Sequence, residues 1–255
     1  MLIVLSPAKT LDYESRPKVP ARTTPEWLAE SEKLVELLKK KTPKQIQALM
    51  GVSENLAELN HGRYQDWQLP MPDQASRPAV LAFKGDVYLG LQADQMTEKQ
   101  LLYAQDHLRI LSGLYGVLRP FDSMLAYRLE MGTALKTRRG KDLYAFWGTR
   151  ITQSINEQLD ATDSRYLLNL ASNEYFRSIQ KMSVQAEIIA PVFKDQSNGK
   201  YRVISYFAKQ ARGTMASWVI RNKVKTPAKL VKFAEDGYRY DAQSSTDAAP
   251  VFLRG

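Results

Sequence analysis

Apolar residues run without interruption at the start of the chain, where Leu2, Ile3, Val4 and Leu5 precede Ser6-Pro7. A short unbroken run reads as a strand buried on both faces, and the proline withholds the next ladder donor. Runs at 79–83 and 166–171 predict two further strands. Between them the period lengthens. Trp27, Leu28, Leu34, Leu37 and Leu38 supply the apolar face of a helix, with Thr24 as its cap and Pro25 at its first position. Thr42-Pro43 repeats that start signal, and Ile46, Leu49 and Met50 lead to Gly51. Ser53 then caps a second short helix through Leu56, Ala57 and Leu59, so 42–64 is expected as a helical hairpin turning at Gly51-Val52-Ser53. Thr97 and Gln100 form a capping box before Leu101, Leu102, Ala104 and Leu108. Asp142 caps a helix through Phe146, Ile151 and Leu159 that Gly148 interrupts, and Ser172 caps 173–179.

Polar residues, Gly and Pro punctuate the rest. Residues 13–24, with Pro17 and Pro20, and residues 64–78 read as irregular. Gly113 and Gly116 predict a turn with close backbone approach inside 109–122. Arg119 with Asp122 and Arg128 with Glu130 are expected as ion pairs. Asn198-Gly199 is a two-residue hairpin signal joining strands at 187–195 and 200–208. Lys209 begins a helix with Met215, Trp218 and Val219 inward. Thr226-Pro227 opens another with Leu230, Val231 and Phe233 inside, and a last strand is expected at 238–240. There is no internal repeat and no regular βαβ spacing. The fold class expected is α+β: one compact domain over residues 1–255, with a mixed β-sheet, surrounding helices and a helical hairpin subregion at about 42–64.

Composition narrows the function. No apolar run reaches the roughly 18 residues of a membrane-spanning helix, and the apolar start lacks a basic leader, so it reads as a strand and not a signal peptide. Cysteine is absent, which excludes disulfides and cysteine zinc sites and suits a reducing cytosol; a cytoplasmic location is expected. His61 and His107 are the only histidines, so a histidine-rich metal site is not expected, an oxygen-ligand site stays open, and no metal residue or cofactor is assigned. The net charge is +9, and its distribution is uneven. Residues 196–234 hold nine Lys and Arg and no acid; outside them 27 basic residues face 27 acidic ones. A localised basic excess is the footprint of a polyanion-binding surface or of a solvated outer face.

Candidate chemistry gathers at strand ends. Ser6, Lys9 and Thr10 offer two hydroxyls and an ammonium after the first strand, without the glycines of a P-loop. Lys84, Arg119 and Arg128 also leave strand ends or turns, and Lys209 and Arg212 share one helical face. One reading is a row of cations meeting DNA phosphates, with Tyr115 or Phe121 either in the core or stacking on an unpaired base. A second is an enzyme acting on a nucleotide or other phosphorylated substrate, with Asp12, Asp86 or Glu130 as general base. A third is iron held by carboxylates such as Asp12, Asp86, Asp122 and Glu130. No nucleophile–base pair is visible, so no catalytic residue is assigned.

Several stretches together resemble the bacterial YaaA peroxide-stress family: SPAKTLD at 6–12, AFKGDVY at 82–88, LSGLYGVLRPFD at 111–122, YRLEMG at 127–132, GKDLYAFWG at 140–148, NLAS at 169–172 and ISYFAKQARG at 204–213. The resemblance runs in family order from residue 1 to about residue 240. It implies a hydrogen peroxide stress protein that limits iron-driven Fenton damage, with a single α+β unit, a helix-hairpin-helix-like element and a basic cleft binding DNA. The 42–64 hairpin matches that element, and Gly51, Val52 and Ser53 are its phosphate-contacting turn, although Ser53 stands where the motif favours glycine. DNA, duplex or distorted and with weak sequence specificity, is the partner implied, and a monomer is favoured.

Overall fold

The computed structural model describes residues 1–15 and 19–255; the centre of the irregular 13–24 stretch, at Pro17, lies outside the described residues. Leu2–Leu5 (β1) is the middle strand of a five-stranded sheet, and all four side chains are inaccessible to solvent. It lies between two parallel neighbours, Leu108–Ser112 (β2) and Tyr166–Leu170 (β4). Gly116–Leu118 (β3) turns back antiparallel on β2, and Glu187–Ile189 (β5) runs parallel to β4. The order is β3-β2-β1-β4-β5, so the sheet is mixed. A strand hydrogen-bonded on both edges and covered on both faces has no polar face to alternate, which is why β1 is uniformly apolar.

A second mixed sheet follows. It contains Val192–Ser197 (β6), Lys200–Arg202 (β7), Arg239–Tyr240 (β8) and Val251–Arg254 (β9), in the order β7-β6-β9-β8. Strands β6 and β7 join through Asn198 (φ 52°) and Gly199 (φ 72°), the two left-handed residues of a type I′ turn. Phe193, Phe233, Tyr238 and Phe252 pack edge to face or stacked beneath this sheet, and residues of both sheets belong to one contiguous core. The α+β class with mixed sheets is as the sequence predicts.

Among the described residues seven longer helices surround the sheets: Leu28–Lys39 (α1), Pro43–Met50 (α2), Glu54–Asp66 (α3), Asp86–Leu91 (α4), Glu98–His107 (α5), Arg150–Ala161 (α6) and Ser205–Arg221 (α7). Capping boxes at Thr42/Gln45 and Thr97/Gln100 open α2 and α5. Gly51 ends α2 in the left-handed region at φ 60°. Ser53 stands at the N-cap of α3, but its side chain makes no capping bond.

Several boundaries differ from expectation. Helix α1 begins at Leu28, not at Pro25, because tertiary contacts hold the preceding residues extended: Thr23 bridges Asp122, and the Arg119 guanidinium donates to the Thr24 carbonyl at 2.7 Å. The run at 79–83 is a single helical turn, Ala79–Ala82, because Ala79 and Val80 donate to the Asp122 and Pro120 carbonyls; an apolar run buried all round does not distinguish helix from strand. The run at 187–195 divides between the two sheets at Ala190-Pro191, where proline cannot continue a ladder. Strand β7 stops at Arg202, and Ser205 already begins α7, four residues earlier than Lys209. Gly148 (φ 54°) separates the Leu143–Trp147 turn from α6. Leu56, Leu59 and Val231 are exposed, not inward.

Candidate functional site

The carboxyl ends of β1, β2 and β4 open on one side of the sheet, where ligands of α/β sheets are commonly held. Ser6 follows β1 and Ser172 follows β4. The Ser6 hydroxyl accepts from the Ser172 backbone N–H at 2.8 Å and lies 3.3 Å from the Ser172 hydroxyl, so the two strand exits are tied together. Tyr88 of α4 donates to the Ser6 carbonyl at 3.1 Å. After β2, Gly113 lets residues 127–130 pass over the strand end: a Cβ there would lie 2.2 Å from the Leu129 carbonyl oxygen. The Arg128 carbonyl accepts from the Tyr64 hydroxyl of α3.

Helix α7 crosses α4 to form the opposite wall. Gly213 touches the Val87 carbonyl and Gly90 touches the Gln210 carbonyl, and a Cβ at these positions would approach to 1.8 Å and 2.2 Å. Backbone contact at the crossing brings Lys209 and Arg212 to the rim, and the Lys209 ammonium reaches Asp86 at 3.8 Å. Between these walls lies a pocket of about 430 Å³.

Seven of the predicted residues meet there: Ser6, Lys9, Thr10, Lys84, Arg128, Lys209 and Arg212. Five cations face three acids, Asp86, Glu130 and Glu174. Glu130 Oε1 takes Arg128 Nη2 at 3.0 Å and Lys9 Nζ at 3.5 Å. Its Oε2 is closed off from solvent without a hydrogen-bond partner. Glu174 accepts from the Gly132 N–H at 2.9 Å. Among the described residues Arg212 has neither an ion-pair partner nor a hydrogen bond, although it is partly buried, and that burial holds its guanidinium below the usual arginine range.

The other predicted residues lie elsewhere. Arg119 does not line the pocket; its guanidinium is engaged by Asp122 at 2.8 Å and by the Thr24 carbonyl. Gly51, Val52 and Ser53 form the turn between α2 and α3, outside the pocket. Tyr115 and Phe121 are fully buried and present no face for stacking: the Tyr115 hydroxyl accepts from the Trp67 indole at 3.0 Å. Asp12 closes its own turn by accepting from the Glu14 and Ser15 backbones, and those bonds lower its pKa. Among the described residues no three His, Asp or Glu form a metal-holding group. The sequence reading missed Ser172, Glu174 and Tyr175. A serine directly after an apolar strand, as Ser6 follows β1, was the available signal.

Comparison with known proteins agrees over the length of the chain. The family described as Peroxide stress protein YaaA matches residues 1–244. A UPF0246 protein of Polynucleobacter necessarius subsp. necessarius is 52% identical over 254 residues, covering 100% of this chain and 98% of the relative. UPF0246 proteins of Pseudoalteromonas translucida and Alcanivorax borkumensis are each 51% identical, with the same coverage. The chain belongs to the peroxide stress protein YaaA family.

Proposed function

We propose that this peroxide stress protein binds DNA as a monomer in the cytoplasm, through phosphates held at the basic cleft, and thereby limits iron-driven damage. The observation that carries this reading is Arg212: a partly buried guanidinium without a partner among the described residues, beside four more cations, is stabilised by an incoming anion. Weak sequence dependence follows, because phosphate contacts position a protein without reading bases. At the Gly51-Val52-Ser53 turn the Gly51 and Val52 N–H groups already bond the Gln47 carbonyl, so the uncapped first N–H groups of α3 are the donors to a second phosphate. Equilibrium binding of a labelled duplex across a salt series tests this. Each phosphate contact adds about 0.9 to the log–log slope, so R212A with K84A should flatten it by up to about 1.8. A chain that binds no duplex at low salt overturns the proposal.

The pocket volume favours a second reading, an enzyme acting on a nucleotide. About 430 Å³ suits one small ligand, and Glu130 is the carboxylate placed to act as base. Calorimetric titration with mononucleotides, followed by product analysis, decides between substrate and mere occupancy.

A further inference from the structure

Among the described residues three aromatic side chains stand with the exposed large hydrophobic residues, and all three fall within seven positions: Tyr201, Tyr206 and Phe207. Tyr201 is 43% and Tyr206 52% exposed. Basic residues alternate with them, at Lys200, Arg202 and Lys209, and no acid occurs from 196 to 234. The short β7 strand and the first turn of α7 display this edge. Tyr206, Lys209 and Arg212 recur at three-residue steps, so they follow one another along neighbouring faces of α7 from the hairpin into the cleft. Phe207 is already engaged: the Arg254 guanidinium lies 4.4 Å over its ring, and Tyr206 packs against its edge at 5.5 Å. That fixes Tyr206 while its outer face stays open.

Isolated exposed aromatics need no explanation, but a cluster interleaved with cations does. Every base has a π-face, so a flat exposed ring beside a phosphate site holds unpaired bases without reading sequence. Paired bases in a duplex are stacked on each other and offer no such face. We propose that Tyr201 and Tyr206 are a stacking platform for unpaired bases of a DNA strand whose phosphates lie at Lys209 and Arg212. This rests on the DNA reading above and adds a preference for single-stranded or unwound segments.

The full-length chain is titrated with three labelled oligonucleotides of one length: single-stranded, abasic single-stranded and duplex. The Y201A/Y206A variant should lose about tenfold in affinity for the single strand and keep wild-type affinity for the abasic and duplex forms. Y201F/Y206F, which keeps the rings, should behave as wild type. K209A/R212A should weaken all three. Equal losses on abasic, duplex and single-stranded oligonucleotides, or no loss on any, overturn the platform while the DNA reading stands. A wild-type chain that binds none of the three overturns both. If Y201A/Y206A changes only the sedimentation behaviour, the edge joins copies of the chain and the platform is overturned.

Discussion

Two arginines in the same pocket are predicted to behave oppositely when removed, because one has a partner and the other has none among the described residues. Arg128 holds Glu130, whose second oxygen is already buried without a hydrogen bond. Removing Arg128 leaves that carboxylate with only the exposed Lys9 at 3.5 Å, so R128A should destabilise the fold by roughly 3 kcal/mol. Arg212 supports no other group, so R212A should leave thermal stability unchanged or raised while anion affinity falls. Unfolding scans of the two variants check the contrast, and equal losses of stability would refute it. Glu30 gives a pH prediction. Hydrogen bonds from Arg139, with Lys33 adding to them, pull its pKa down to about 2 from 4.5. A depressed carboxylate stabilises the native state above its unfolded pKa and loses that contribution as pH falls through the native value. The stability gap between wild type and E30Q should therefore be full above pH 4.5 and close towards pH 2, as thermal scans at pH 7 and pH 3 will show.

At the scale of elements, the cleft depends on the contact between α4 and α7. Gly213 admits no side chain against the Val87 carbonyl, so G213A must push the helices apart and carry Lys209 and Arg212 away from the pocket. The expected cost is about 1–3 kcal/mol or more, with a loss of DNA affinity larger than that of K209A alone; unchanged affinity would show that the wall does not position the cations. This crossing is not legible from sequence. Gly213 sits inside a helical pattern and Gly90 in a helix that the sequence reading does not predict, and nothing local indicates that they face each other. Other elements were legible because their signals are local. The Thr42-Pro43 helix start, the Thr97/Gln100 capping box and the Asn198-Gly199 turn appear where the sequence places them. The failures also have a local cause. Apolar runs such as 79–83 carry no period once they are buried on all sides, and the aromatics at 206–207 suit a strand by propensity while their environment makes them helical.

At the scale of the whole molecule, the sequence identifies the pocket's five cations and two of its three acids, Asp86 and Glu130, but not Glu174 or the walls, because the walls come from strand ends and helices up to about 200 residues apart in the chain. The least legible part is the C-terminal strand. Residues 241–255 gave no sequence signal, yet β9 is an inner strand of the second sheet, between β6 and β8. Arg254 joins that sheet to the aromatic edge. It pairs with the buried Asp195 at 2.6 Å, and its guanidinium lies between the rings of Phe207 at 4.4 Å and Tyr238 at 4.6 Å. R254A therefore removes the partner of a buried carboxylate and the inner support of Phe207 in one change. Tyr238 still donates to Asp195 at 2.9 Å, so the loss should approach but not exceed the roughly 3–5 kcal/mol of a broken buried pair. D195N combined with R254M removes both charges while keeping much of the packing, and it should recover most of that stability. Hydrogen exchange locates the effect: in R254A protection should fall in β6, β9 and the first turn of α7, and stay at wild-type levels in β1, β2 and β4. Loss of protection in the first sheet as well would mean that the two sheets unfold as one unit.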